Sequence, residues 1–90
     1  MNPQQVKQIQ EKFLQMQSQI QETVVSADGE ITVVFNGNVQ IINLTVSGNK
    51  SIEQLQPVLI ETINKGIITV SEKIKNAMLL LQQQMQNPTL

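Results

Sequence analysis

The chain has 90 residues, 40% of them hydrophobic and 14% charged, with a net charge of −1; it suits one small domain (1–90) of marginal stability unless something adds to its core. It holds no His, Cys, Trp, Tyr or Arg, which excludes disulfides, thiolate metal sites and most side chains that do chemistry near neutral pH. No basic-then-apolar leader opens it and no run approaches a membrane span, so a cytoplasmic protein without membrane contact is expected.

The first expected element is a helix over 2–22. Asn2 supplies an N-cap, and Pro3 takes the first helical position, where its missing N–H costs nothing. Val6, Ile9, Phe13, Met16 and Ile20 recur at steps of three and four and form one narrow seam. Around that seam the surface is mostly glutamine, a good helix former. The β-branched run Thr23-Val24-Val25 ends the helix and starts extended chain.

Asp28-Gly29 and Asn36-Gly37-Asn38 are turn signals, and they predict a three-stranded antiparallel meander over 23–47: Thr23–Ala27, Glu30–Asn36 and Val39–Ser47. A loop at Asn36-Gly37 pairs Val33 with Gln40, whereas a loop at Gly37-Asn38 pairs Val33 with Ile42 and Ile31 with Leu44. The second register is preferred, because it gathers Ile31, Val33, Phe35, Ile42, Leu44 and Val46 on one face. The reverse face, with Thr32, Val34, Asn36, Ile41, Asn43 and Thr45, is only half polar.

Ser51-Ile52-Glu53-Gln54 reads as a capping box opening a second helical region over 52–84. Pro57 either kinks this helix or marks a fresh start after a short turn. Gly66 is a tolerated interruption, and 85–90 form a tail. Ile60, Ile63, Ile67, Val70, Ile74, Met78 and Leu81 make a heptad-like stripe, and Met16, Met78 and Met85 fill seams rather than line a groove.

From Pro57 to Gln84 a helix runs ~42 Å, whereas strands of this size span only ~20–30 Å. The sheet of one chain leaves Ile74, Met78 and Leu81 in water, and the simplest cover is a second copy. A homodimer is therefore expected, its interface on the seven residues of that stripe.

Catalysis finds no support. The carboxylates are scattered, neither Ser nor Lys sits in a nucleophile motif, no carboxylates cluster to hold a metal, and Gly29, Gly37 and Gly48 are turn residues rather than a phosphate loop. No enzyme, cofactor or metal is expected. The six lysines are dispersed, so composition alone gives only modest support to nucleic-acid binding, although duplication in a dimer would place twelve around one surface.

Taken together, "KQIQEKFLQMQSQIQE", "VVSADGEITVVFNGNVQIINLTVS" and "LIETINKGIITVSEKIKNAM" resemble the YbaB/EbfC family of bacterial nucleoid-associated proteins over roughly Val6 to Met78. The resemblance implies an α+β chain of order α-β-β-β-α in a tweezer-like homodimer with projecting N-terminal helices. It also implies weak to moderate binding of double-stranded DNA, with little sequence preference, in the nucleoid. The family's basic helix positions correspond to Lys7, Lys12, Lys73 and Lys75. The alternative is a dimeric interaction module whose Val6–Ile20 seam takes a partner protein's helix rather than DNA.

Overall fold

The computed structural model describes residues 2–86, in the order α1 (Pro3–Gln19), β1 (Gln21–Val25), β2 (Ile31–Asn36), β3 (Ile41–Val46) and α2 (Ile52–Gln86). The α+β order is the expected one. Of the expected tail, Asn87 to Leu90 lie outside the described residues, as does the side chain of Met85.

Both helices open on reciprocal caps. Asn2 accepts from the Gln5 backbone at 2.8 Å while the Gln5 amide oxygen accepts from the Asn2 N–H at 3.3 Å. Ser51 and Gln54 repeat the arrangement at 3.3 and 3.2 Å. Each box satisfies two N-terminal donors that the helix itself leaves orphaned. α1 stops three residues before its expected end because Gln21 and Glu22 pair with Asn36 and Phe35 as the start of β1. α2 continues without a break through Pro57. That proline and Glu53, whose carbonyl loses its donor there, both face solvent, so water can serve the orphan.

The sheet is a meander, β1-β2-β3, antiparallel throughout. Its second hairpin differs from expectation. Ile31 pairs with Val46 and Val33 with Leu44, two residues away from the preferred register, with an irregularity between Val34 and Phe35. The loop is longer than two residues. Val39 N–H donates to Asn36 O at 3.1 Å, Asn36 N–H donates to Gln40 O at 3.0 Å, and Val39 takes φ 59°. The Asn36 side chain accepts from the backbone of both Asn38 and Gln40, which fixes this wider turn. A β-branched residue is strained in the left-handed region, and here Val39 is held by packing against the core. A shift of two residues preserves strand parity, so Ile31, Val33, Leu44 and Val46 still share a face.

Gly37 lies in the turn, as expected, and has a second purpose there. A Cβ there would stand 1.9 Å from the Gln17 carbonyl oxygen, and the Gln17 amide donates to Gly37 O at 2.9 Å. The glycine lets the hairpin abut the end of α1. Gly66, read as merely tolerated, is likewise a contact point: a Cβ would lie 2.0 Å from the ring of Phe35.

The core consists of Val24, Ile31, Val33, Phe35 and Val70, with Leu55, Val58, Leu59, Ile63 and Ile74 packed against it. α2 covers β1 and β2 and leaves every residue of β3 exposed. The molecule measures 57 × 18 × 16 Å, and α2, 35 residues long, accounts for the long axis at about 1.5 Å per residue. Its first half forms a body with the sheet. Its second half runs on beside α1, which leads back toward the sheet, so the two make an antiparallel helical arm.

This arm changes the covering argument. Leu81, beyond the reach of the sheet, is only 4% exposed, and Ile74 packs against the core. α1 of the same chain shelters what the strands cannot, and only Met78 of the three overhanging residues remains 40% exposed. The α1 seam is itself engaged: Ile9, Phe13, Met16 and Ile20 are half-buried, and Val6 is exposed at the tip.

Candidate nucleic-acid interface

The fold sorts the charges. Four lysines, Lys7 and Lys12 on α1 with Lys73 and Lys75 on α2, stand on the arm beside two glutamates, Glu11 and Glu72. The body carries Lys50 and Lys65 against Glu22, Asp28, Glu30, Glu53 and Glu61. A chain of net charge −1 thus divides into a basic arm and an acidic body. The four arm lysines are those singled out by the resemblance. Glutamines on α1, exposed but for a half-buried Gln17, and the exposed Gln82, Gln83 and Gln84 on α2 give the arm many uncharged donors and acceptors.

The lysines differ in availability. Lys7, Lys12 and Lys75 are exposed and have no ion pair among the described residues. Lys73 pairs with Glu22 at the root of the arm, the lysine side chain 51% exposed and the glutamate 21%. Glu22 carried no functional expectation from sequence, and 51 positions separating it from Lys73 left no local signal.

Lys50 is committed elsewhere. It pairs with Asp28 and, at 3.4 Å, with Glu30, tying the β1–β2 turn to the loop before α2. Asp28 also accepts from the Ser26 hydroxyl at 2.5 Å and the Glu30 N–H at 3.0 Å. Lys50 first, then these two donors, hold the Asp28 carboxyl well below the ordinary carboxylate range, and Asp28 in turn raises the Lys50 ammonium. A carboxyl depressed by folding contributes stability above its unfolded value near 4, and that contribution disappears as pH falls below it. The thermal midpoint of wild type is therefore expected to fall between pH 5 and 2 more than that of Asp28→Asn; parallel curves would contradict the linkage.

A shallow cavity of about 210 Å³ opens between the β1–β2 turn and α2, lined by Val25, Ser26, Ala27, Asp28, Val58, Glu61, Thr62 and Lys65. Asp28 is already engaged, and the Thr62 hydroxyl donates to Val58 O at 2.7 Å. Among the described residues no three His, Cys, Asp or Glu side chains stand close enough to hold a metal, and no helix is long and apolar enough to cross a membrane.

The cavity fixes which way α2 faces. Glu61 and Lys65 line the cavity on the β1 side, and at 100° per residue Ile60 and Ile67 lie on the opposite flank of α2. They are 61% and 39% exposed, and on β3 Ile42, Leu44 and Val46 are 54%, 45% and 46% exposed. Of the expected interface stripe, Val70 is fully buried, Leu81 is 4% exposed, and Ile63 and Ile74 pack on the core. These side chains serve the chain's own interior. Ile60, Ile67 and Met78 are left facing outward.

An uncharacterised protein of Helicobacter pylori, HP0035, has a crystal structure that superposes with a TM-score of 0.77 at 23% identity, over 91% of this chain and 98% of that one. The likeness establishes the fold. No curated protein matches the sequence significantly. The sequence model of the YbaB/EbfC DNA-binding family matches residues 2–86, which include both helices of the arm and the whole sheet. The chain belongs to the YbaB/EbfC DNA-binding family.

Proposed function

We propose that this is a homodimeric nucleoid-associated protein that binds double-stranded DNA with little sequence preference through its helical arm. The observation that carries the reading is the segregation of charge: four lysines and most of the glutamines stand on the arm, while five of the seven acids stand on the body. Lys7, Lys12, Lys73 and Lys75 supply phosphate contacts, and the glutamines add hydrogen bonds to backbone or groove edges. Phosphate contact without a fixed base-reading side chain gives affinity that depends on salt more than on sequence. A cytoplasmic protein on the nucleoid follows from that role.

The surface proposed for the second copy is the uncharged apolar flank formed by Ile42, Leu44 and Val46 of β3 with Ile60 and Ile67 of α2. An edge strand without charge or proline invites pairing, and an isologous contact buries it in both copies. Sedimentation equilibrium at micromolar concentration is expected to give twice 10.1 kDa; a folded particle of one chain's mass would contradict the dimer.

Fluorescence anisotropy with a random-sequence duplex tests DNA binding itself. Binding at about 50 mM salt that weakens steeply by about 200 mM is the expected result. Binding indifferent to salt, or none at the lower value, would contradict it.

A further inference from the structure

We infer that Glu22 masks Lys73 and so restrains the protein's DNA affinity, an inference that rests on the DNA-binding reading above. Glu22 lies in β1 where the chain leaves the arm for the sheet, and its carboxylate meets the Lys73 ammonium across the joint. The acid is recessed at 21% exposure while the lysine is 51% exposed, so a phosphate can reach the cation only in competition with the carboxylate.

Lys7, Lys12 and Lys75 form no ion pair among the described residues, Glu11 and Glu72 standing one helical turn from Lys7 and Lys75 without pairing, and Lys50 belongs to the far end of the body. On the helix, Glu72 and Lys75 point away from Lys73 by about 100° and 160°, so Glu22 is its ionic neighbour. An exposed ion pair is weak, and a phosphate in the duplex field competes with it. Lys73 therefore passes between two anions, one internal and one on DNA, and Glu22 subtracts from the arm the contact that its partner could make.

The test uses the full chain, the random duplex and a salt series. Glu22→Gln keeps the side chain's size and removes its charge. It is expected to tighten binding up to about fivefold at low salt, the fold-change matching an exposed ion pair. It should also steepen the log–log salt dependence by about 0.9 per protomer. Lys73→Gln should weaken binding less than Lys75→Gln does, and Glu22→Gln with Lys73→Gln should bind no more tightly than Lys73→Gln alone. An unchanged slope in Glu22→Gln, or a gain that persists without Lys73, overturns the inference.

A second readout needs no DNA. Trace acetylation followed by mass spectrometry should label Lys73 more slowly than Lys75 in wild type and at equal rates in Glu22→Gln. DNA binding with Lys73 unprotected overturns the mask alone. Protection of Lys73 in a protein that binds no DNA overturns the DNA-binding reading and with it the mask's role.

Discussion

Phe35→Ala is expected to lower the unfolding free energy by about 3–5 kcal/mol, the range for truncating a buried aromatic. A chain of 90 residues has roughly 5–13 kcal/mol in total, so this single change removes a large share of its stability. Phe35 is 1% exposed, and its ring lies against the backbone of α2 at Gly66, where no side chain intervenes. It is the point at which sheet and long helix lock. Gly66→Ala probes the same contact from the other side. The new methyl would stand 2.0 Å from the ring, at a cost of about 1–3 kcal/mol for overpacking against about 1 kcal/mol gained in helix propensity. Combining Phe35→Leu with Gly66→Ala should cost less than the two separate effects added, because the smaller side chain makes room for the methyl. Urea midpoints at one fixed protein concentration measure all of these; a Phe35→Ala midpoint equal to wild type would contradict the packing account.

Replacing Lys7, Lys12, Lys73 and Lys75 together by glutamine is expected to abolish measurable DNA binding at about 150 mM salt and to flatten the salt dependence, since each phosphate contact contributes about 0.9 to the slope. The fold should survive. Three of these lysines are exposed without a partner among the described residues, and the fourth sits in an exposed ion pair of small energetic value. Lys65→Gln, on the acidic body, is the control and should shift affinity far less. A loss in Lys65→Gln as large, per charge removed, as that of the arm variant would mean that net charge, rather than the arm, governs binding.

Local chemistry was legible from residue types wherever the interaction lies within a few positions. Asn2-Pro3 and Ser51 to Gln54 both cap as their spacing indicates, and Asp28-Gly29 turns the chain with Gly29 at φ 77°. Asn36-Gly37-Asn38 marks where the chain reverses but not the length of the loop. The left-handed residue of that loop is Val39, and Gly37 is small so that α1 can approach it. Nothing between Asn36 and Gln40 discloses a contact with Gln17.

The stripe on α2 misled in a related way. Periodicity identifies an apolar face but not what lies against it, so Val70 and Leu81 were grouped with Ile60 and Ile67 although the first pair is interior and the second is open. The site shows the same division. The four arm lysines were named from a family resemblance, whereas Glu22 against Lys73 and Asp28 against Lys50 are tertiary contacts that spacing along the chain does not encode.

The arm as the DNA-binding element is tested most directly by titrating the ¹⁵N-labelled protein with a short random-sequence duplex at low salt and following each backbone amide. Shifts confined to α1 and to α2 from Lys73 onward, with the Asp28–Lys50 end of the body unmoved, are the predicted result. Shifts centred on the sheet or on the β1–β2 turn, with the arm silent, would contradict it.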